Sequence, residues 1–566
     1  MTDTYEAVVI GTGFGGAVSA CRLSKKWPGQ VLVLERGKRY GLGEFPRGPH
    51  AFARNFWNTE HEGRSRARPR ALKNVKGHGL FDIRNYHKMD LVVAAGLGGG
   101  SLIYANVFLE PPEVVFNGWP QGCSRAELAP YYEVAKEVLG ARQLPPPYTG
   151  RRRVVRTELF QKAAKAMNRD SRLADINVFF GKDFAKPPLD PGRQERNRYG
   201  KLQTSCVYCG ECDTGCNVQA KNTLDLNYLH CAETRYLAQI RTEHLAECIE
   251  PLDRDGSGEH GYRVCYRDLD NAVGKEAVTK RVIVSAGTLG STELLLRCRD
   301  KFKSLPHISG QLGQHVSGNG DFLSFVVGTK HPADPNYGPV ITQYTDFNLF
   351  NRFSAPQAFI LEDASYPAFA AWCVEGAKPG LMRLRALWHF LRHLLARLRG
   401  NSIGPIGFAF EDLLSDDLSY HTAVLLCMGL DCSRGLMSLG TDDWLDLTWP
   451  LPQSRPLYDA IVRAGHEFKK HTGAEVYFEL PTWWRPFRRN VSVHPLGGCI
   501  LSDDRESGVT SAASTTFGQV HGYKNLYVAD GSIVPSAVGA NPTATITALA
   551  EKICEGITRI RPTADL

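Results

Sequence analysis

Ala7-Val8-Val9-Ile10-Gly11-Thr12-Gly13-Phe14-Gly15-Gly16, a helical run to about Lys26, and then Val31-Leu32-Val33-Leu34-Glu35 decide how this chain folds. Ala7–Ile10 is a short apolar run followed at once by glycines, so it reads as a buried strand ending in a tight turn. Val31–Leu34 returns as a second strand after the helix. Strand, glycine turn, helix and strand within about thirty residues make a βαβ unit, the building block of parallel sheets. Gly11 makes the turn, Gly13 lets the backbone approach a pyrophosphate, and Gly16 allows close helix–strand packing. Glu35 can accept from a ribose hydroxyl and disfavours a 2′-phosphate. The unit therefore points to a dinucleotide other than NADP, seated at a helix N-terminus.

Further pieces of the same kind lie far away in the chain. Residues 41–90 are rich in Arg and Gly, show little periodicity and read as loops. Val92–Ala95 then leads into Gly96-Leu97-Gly98-Gly99-Gly100-Ser101, with Tyr104 and Asn106 close behind. Consecutive glycine amides form a nest for an anion or for a flat group lying on the backbone. Arg281–Ser285 is another strand, followed by Ala286-Gly287-Thr288-Leu289-Gly290-Ser291 at the start of an apolar helix. Asn525–Asp530 is a last strand of this type. Residues 321–480 differ: they are aromatic-rich, with alternating stretches such as Phe322–Val327.

A chain of 566 residues exceeds the range of a single core. The expectation is an α/β protein of two domains. A Rossmann-like, ββα-layered nucleotide domain is assembled from residues 1–110, 200–320 and 490–566. A substrate domain from 111–199 and 321–489 carries a mainly antiparallel sheet with helices.

The formal charge of +8 is modest, and no basic block interleaved with aromatics appears, which argues against a nucleic-acid partner. No export signal precedes the first strand and no apolar run is long enough to span a bilayer, so the chain reads as cytoplasmic. Fifteen cysteines, an odd number, speak against a disulfide scaffold. Cys21 and Cys554 sit in apolar helical contexts as core residues. Residues 381–399 form a basic amphipathic pattern in which Arg385, Arg392 and Arg399 alternate with leucines and Trp388. The pattern has two readings: a helix lying transiently on a membrane surface, or an ordinary surface helix.

The tail holds the chemistry. Val493-His494-Pro495-Leu496-Gly497-Gly498-Cys499 and Asp530-Gly531-Ser532-Ile533-Val534-Pro535 lead into Gly539-Ala540-Asn541-Pro542-Thr543. They set an imidazole and a carboxamide in turns stiffened by glycine and proline. With the N-terminal glycine loop, the Gly96–Ser101 segment, Gly287-Thr-Leu-Gly-Ser-Thr-Glu-Leu-Leu-Leu, Leu312-Gly-Gln and Gly318-Asn-Gly, they resemble the glucose–methanol–choline (GMC) oxidoreductase family. Within it the chain is most similar to the cholesterol oxidase branch. Thr292 and Cys298-Arg299 depart from the family's second signature, which touches only local helix packing.

The resemblance implies FAD. Gly11, Gly13 and Gly16 would face the pyrophosphate and Glu35 the adenosine ribose. Gly98, Gly100, Ser101, Tyr104 and Asn106 would lie along the flavin, with Asp530, Gly531, Asn541 and Thr543 closing over it. It also implies oxidation of a bulky apolar secondary alcohol, a small hydrophobic molecule of the 3-hydroxysteroid or sterol kind, by hydride transfer to flavin N5. His494 and Asn541 match the pair that faces the substrate hydroxyl; imidazole can take or give the proton, whereas Asn541 only positions. Glu362, in Phe359-Ile-Leu-Glu-Asp-Ala-Ser-Tyr-Pro367, resembles the branch's third catalytic group. There a glutamate moves a proton between ring carbons to turn a 5-ene-3-ketone into the 4-ene-3-ketone. The alternative reading of Glu362-Asp363 is a solvated acidic pair on a loop.

Cys206-Val-Tyr-Cys209-Gly-Glu-Cys212-Asp-Thr-Gly-Cys216 has the C-x2-C-x2-C-x3-C spacing of a bacterial ferredoxin run, with Asn217 where proline is usual. Three states stay open on sequence: one [4Fe-4S] or [3Fe-4S] cluster, reduced thiols or partial disulfides, or zinc. A cluster would pass electrons to an acceptor protein or quinone; without one, O2 is the simpler acceptor. A non-redox lyase or isomerase with structural FAD is the remaining alternative.

Overall fold

The computed structural model describes residues 3–58, 77–146, 153–350, 357–376, 380–401 and 417–566. The opening unit folds as β1 (Ala7–Ile10), α1 (Phe14–Lys26) and β2 (Val31–Leu34). Every residue of β1 and β2 is buried, the mark of a parallel strand covered on both faces. α1 starts at Gly13 and ends with Lys25 and Lys26, whose charges suit a helix C-terminus. β3 (Gln239–Arg241) and β4 (Val282–Val284) join them in a five-stranded sheet of order β3-β2-β1-β4-(Leu526–Val528), all pairs parallel. Strands from both ends and the middle of the chain thus share one sheet.

The tail is fastened to the first helix. α4 (Thr543–Thr558) packs on α1, and Arg22 forks onto Glu551 with two hydrogen bonds of 2.8 Å. Arg22 also reaches the Thr563 carbonyl, and the Tyr228 hydroxyl donates to Glu551 at 2.7 Å. A buried ion pair is tolerable only when its remaining polar sites are satisfied in this way.

The second sheet is antiparallel throughout. It contains β5 (Phe322–Val327), β6 (Gln343–Phe347), β7 (Phe359–Ala364), β8 (Thr422–Gly429) and β9 (Val476–Glu479), ordered β9-β5-β8-β7-β6-(Ser171–Leu173). The helix Leu451–Thr472 covers it with Leu457, Tyr458, Ile461, Ala464 and Phe468, a helical spacing of apolar residues. Two helices, α2 (Ala368–Gly376) and α3 (Gly380–Leu398), are inserted between β7 and β8.

Residues 41–90 correct the loop expectation. Phe81–Tyr86 and Met89–Ala94 form an antiparallel hairpin, and Gly48–Ala53 is a short helix. The hairpin turns through Lys88 in a left-handed conformation (φ 69°), a geometry that glycine or asparagine would have advertised and lysine does not. Among the described residues no helix is long and apolar enough to cross a membrane.

Candidate active site

The N-terminus of α1 packs against the second glycine loop, where a Cβ on Gly99 would stand 2.6 Å from Gly13 Cα, and no side chain caps α1 or α4. α1 begins at Gly13 and α4 at Thr543, with Ala544 and Thr545 fully buried. A buried helix end leaves amides unsatisfied and favours a negative ligand group. The three N-terminal glycines prove to have different tasks. A Cβ on Gly11 would stand 2.2 Å from the Ser285 carbonyl oxygen, and one on Gly16 2.1 Å from that of Gly11. Those two are therefore packing glycines, whereas a Cβ on Gly13 or Gly100 would meet nothing within 4 Å. Gly13 and Gly100 are the positions whose backbone a ligand can approach.

Glu35 ties the loops together. Its carboxylate accepts from Thr12 N at 3.1 Å, Thr12 Oγ1 at 2.5 Å and Gly37 N at 2.8 Å. Gly98 N in turn donates to Thr12 Oγ1 at 3.0 Å. Burial pushes the Glu35 carboxyl up, against the pull of those donors. Both Thr12 donors go to Oε2, whereas Oε1 takes only Gly37 N, so the second lone pair of Oε1 leaves acceptance from a ribose open. Ser101 holds its own turn, donating to Gly98 O at 2.7 Å and accepting from Leu224 N. Tyr104 donates to the Asn222 carbonyl.

Asp530 has a task the sequence did not reveal. It accepts from Gly287 N at 2.9 Å and from Ser291 Oγ on one oxygen, and from Ser532 N and Oγ at 2.9 and 2.6 Å on the other. It therefore caps the helix Gly287–Leu296 from across the sheet and fixes Gly531 in place. This distant acid places a favourable charge at the helix N-terminus, while Ser291 Oγ accepts locally from Ala286 N at 2.9 Å.

His494 is oriented by Asp321. Its Nδ1 donates to the two carboxylate oxygens at 2.8 and 3.0 Å, while Val493 N, His494 N and Ser492 Oγ donate to the same carboxylate. That arrangement leaves Nε2 as the nitrogen that can serve a substrate. Asn319, two residues earlier, accepts from Val538 N and Gly539 N and donates to Ala540 O, clamping the turn that presents Asn541. Asp431 fixes Asn319 and Asp321 in turn by accepting from Gly318 N and Gly320 N. Gly320 has φ 64°, and a Cβ there would lie 2.4 Å from the Gly429 carbonyl oxygen. One turn, Ser317–Asp321, thus sets both the imidazole and the carboxamide. Neither Asn319 nor Asp321 was singled out from sequence, although Gly318-Asn319-Gly320 was in view as part of the resemblance.

Glu362 and Asp363 are neither on a loop nor solvated. Both are buried in β7, and strand alternation sends them to opposite faces. Asp363 is paired: it accepts from Thr342 N, Thr342 Oγ1 and Gln343 N, with Arg156 Nε at 3.4 Å. Neither oxygen of Glu362 has a partner at hydrogen-bonding distance, and Asn541 Oδ1 has none either. Burial pushes the Glu362 carboxyl well up; Asn541 opposes this, while Asp363 and Asp321 add to it. Glu362 consequently keeps a proton at pH values where ordinary carboxylates have lost theirs. His494, Asp321, Asn541 and Glu362 come together here. Asn106 lies elsewhere: its buried side chain, at φ 73°, faces Cys212, and neither amide atom has a partner at hydrogen-bonding distance.

Bare glycine backbone at Gly13 and Gly100, two helix ends without side-chain caps and the orphaned Asn541 Oδ1 are the features a flavin dinucleotide would satisfy. The residues fit FAD.

The GMC oxidoreductase family matches residues 5–316 and again 459–550. The chain belongs to the GMC oxidoreductases. As in that family, it binds FAD and oxidises an alcohol. A cholesterol oxidase of Acinetobacter baumannii is 29% identical over 97% of this chain and 93% of its own length. An oxygen-dependent choline dehydrogenase of Proteus mirabilis is 36% identical over 99% and 96%. Among solved structures, pyridoxine 4-oxidase from Mesorbium loti superposes with a TM-score of 0.59 at 14% identity, covering 99% of this chain and 100% of that one, which shows the shared fold.

The cysteine run gives a different result. Cys206, Cys209, Cys212 and Cys216 line one cavity of about 20 Å³, room for about a single water molecule. Burial pushes the thiols of Cys206 and Cys212 up and that of Cys209 to about 12. The fourteen described cysteines form no disulfide, and among the described residues no three His, Cys, Asp or Glu are placed to hold a metal ion. The donors as arranged do not fit an iron–sulfur cluster or zinc. Lys221 instead staples the loop down, its ammonium donating to the carbonyls of Leu102 at 2.8 Å, Tyr104 at 3.2 Å and Cys212 at 2.6 Å.

Proposed function

We propose that this GMC oxidoreductase oxidises the secondary hydroxyl of a bulky apolar alcohol of the 3-hydroxysteroid kind to the ketone, with O2 as acceptor, and then shifts the neighbouring double bond into conjugation. The observation that carries the reading is Glu362: a buried, unpaired carboxyl beside Asn541, on the opposite strand face from the paired Asp363. A carboxyl kept in apolar surroundings accepts a proton from carbon more strongly, once ionised, than a solvated one, and can return it to another carbon. The cholesterol oxidase relatives support the same substrate class.

Bound FAD supplies the two-electron acceptor. Asp321 holds the imidazole so that Nε2 can take the hydroxyl proton, and Asn541, clamped by Asn319, fixes the hydroxyl's direction. A substrate this apolar partitions into lipid, so the enzyme would meet it at a membrane surface.

The test is a panel of 3-hydroxysteroids, long-chain alcohols, choline and sugars, scored by bleaching of the flavin without oxygen. The steroids should bleach it, and air should restore the colour with release of peroxide. Bleaching by choline or sugars alone overturns the substrate class; no bleaching by any alcohol points to a non-redox lyase or isomerase. Iron and acid-labile sulfide in stoichiometric amounts would instead favour export of electrons through Cys206–Cys216.

A further inference from the structure

β7 and β8 are hydrogen-bonded antiparallel neighbours, and a turn of about two to five residues suffices to join such a pair. Here the connection runs over residues 365–421 and carries α2 and α3. Closing the sheet does not require it. Moreover, from Leu387 onward, where its side chains are described, α3 is turned the wrong way for an ordinary surface helix, which would face its leucines inward.

Leu387, Trp388, Leu391, Leu394, Leu395 and Leu398 are all exposed, from 42% at Leu395 to 75% at Leu398. At about 100° per residue these six share one stripe roughly 120° wide. Arg392 and Arg399 border one edge of the stripe and Arg397 the other, all three exposed. The half-buried residues are His389, Phe390, His393 and Ala396; His389, His393 and Ala396 take the opposite side, and Phe390 lies beside the stripe near Arg397. Trp372 of α2 is 69% exposed as well. Residues 380–401 contain five arginines and no Asp or Glu; the side chain of Arg385 lies outside the described residues. An apolar stripe edged on both sides by arginines without counter-charge complements acyl chains below a layer of phosphates.

We propose that α3 lies in the interface of an anionic phospholipid membrane, its leucines and Trp388 among the acyl chains and Arg392, Arg397 and Arg399 at the headgroup phosphates. β7, which carries Glu362, runs directly into this insertion, so the substrate sheet is held beside the phase in which an apolar alcohol dissolves. Binding to lipid is read out without turnover and stands apart from the proposed reaction.

The experiment is flotation of the FAD-loaded protein with vesicles of phosphatidylcholine alone or mixed with phosphatidylglycerol. The protein should float with the mixed vesicles and remain behind with phosphatidylcholine. Arg392→Gln/Arg399→Gln should weaken binding about thirtyfold, the effect of two basic residues near an anionic surface. Leu391→Glu/Leu395→Glu should weaken it further, and both variants should keep flavin absorbance and the rate of flavin reduction by a dissolved alcohol. Failure of the unaltered protein to float, or flotation unchanged in both variants, overturns the proposal. So does a dimer in sedimentation that Leu391→Glu/Leu395→Glu splits while vesicles are ignored, since α3 would then bury its stripe against a second copy. Bleaching by steroids without flotation sinks the lipid proposal alone; flotation without bleaching sinks only the proposed reaction.

Discussion

Replacing Glu362 by glutamine keeps the shape of the side chain and removes its titration. In the fold this carboxyl is held well above its ordinary value by burial, whereas in the unfolded chain it titrates as a normal glutamate. The folded state therefore binds one more proton than the unfolded state at any pH between the two values. Stability from this group is largest at acid pH and falls as pH rises, by about 1.4 kcal/mol per pH unit, until the folded carboxyl itself ionises. Asp363, Asp530 and Asp431 are also pushed up by burial and contribute the same sign. The difference between the parent protein and Glu362→Gln removes their share. Urea unfolding of both FAD-loaded proteins between about pH 5 and pH 8 measures it. The parent should lose stability relative to the variant by about 1.4 kcal/mol per unit over the lower part of that range. In parallel, the variant should still form ketone but leave the double bond unconjugated. Identical pH dependence of the two unfolding curves would show that Glu362 is ionised in the fold and would refute the proton-carrying role. Equal loss of both chemical steps would refute its separation from alcohol oxidation.

Three further outcomes follow from the same geometry. Asp321→Asn cannot accept from His494 Nδ1 and from three other donors as a carboxylate does, so flavin reduction should slow by roughly 10³–10⁴ with a displaced pH profile, as when a histidine loses its orienting acid. A modest uniform loss without a change in profile would mark a merely structural role. Gly13→Ala should fold normally, because its Cβ meets no protein atom within 4 Å, yet purify with little flavin; full flavin content would remove Gly13 from the pyrophosphate site. Arg22→Met should cost about 3–5 kcal/mol in thermal or urea unfolding by stranding Glu551, and adding Glu551→Leu should recover most of it; additive losses would mean that the pair is not coupled.

What could be read from sequence depended on how local the physics was. The βαβ unit was legible because a strand, its glycine turn and the next helix constrain one another within a few residues. The nearly silent hairpin Phe81–Ala94 turns through lysine in a glycine-like conformation, so its own residues hid it. The resemblance makes Asp530 a cofactor residue; its capping of Gly287 and Ser291, some 240 positions away, could not be read from its own neighbourhood. Asp321 is the same case in reverse: an acid after glycine is unremarkable until His494 arrives against it.

Glu362 and Asp363 make the limit plain. Along β7, Ile360, Glu362 and Ala364 face one way and Phe359, Leu361 and Asp363 the other, and both faces are equally apolar. Nothing in the strand itself distinguishes the two acids. Arg156 and Thr342 stand opposite Asp363 and hold it as a structural carboxylate. On the Glu362 side the Asn541 carboxamide, brought from the far end of the chain, opposes the effect of burial, and it does not offset it. The difference between a structural acid and a chemically poised one is therefore set by which distant segment each faces. It follows that moving the partner should move the role: a cation introduced on the Glu362 side would return that carboxyl toward its ordinary range and abolish the property on which the proposed proton transfer rests.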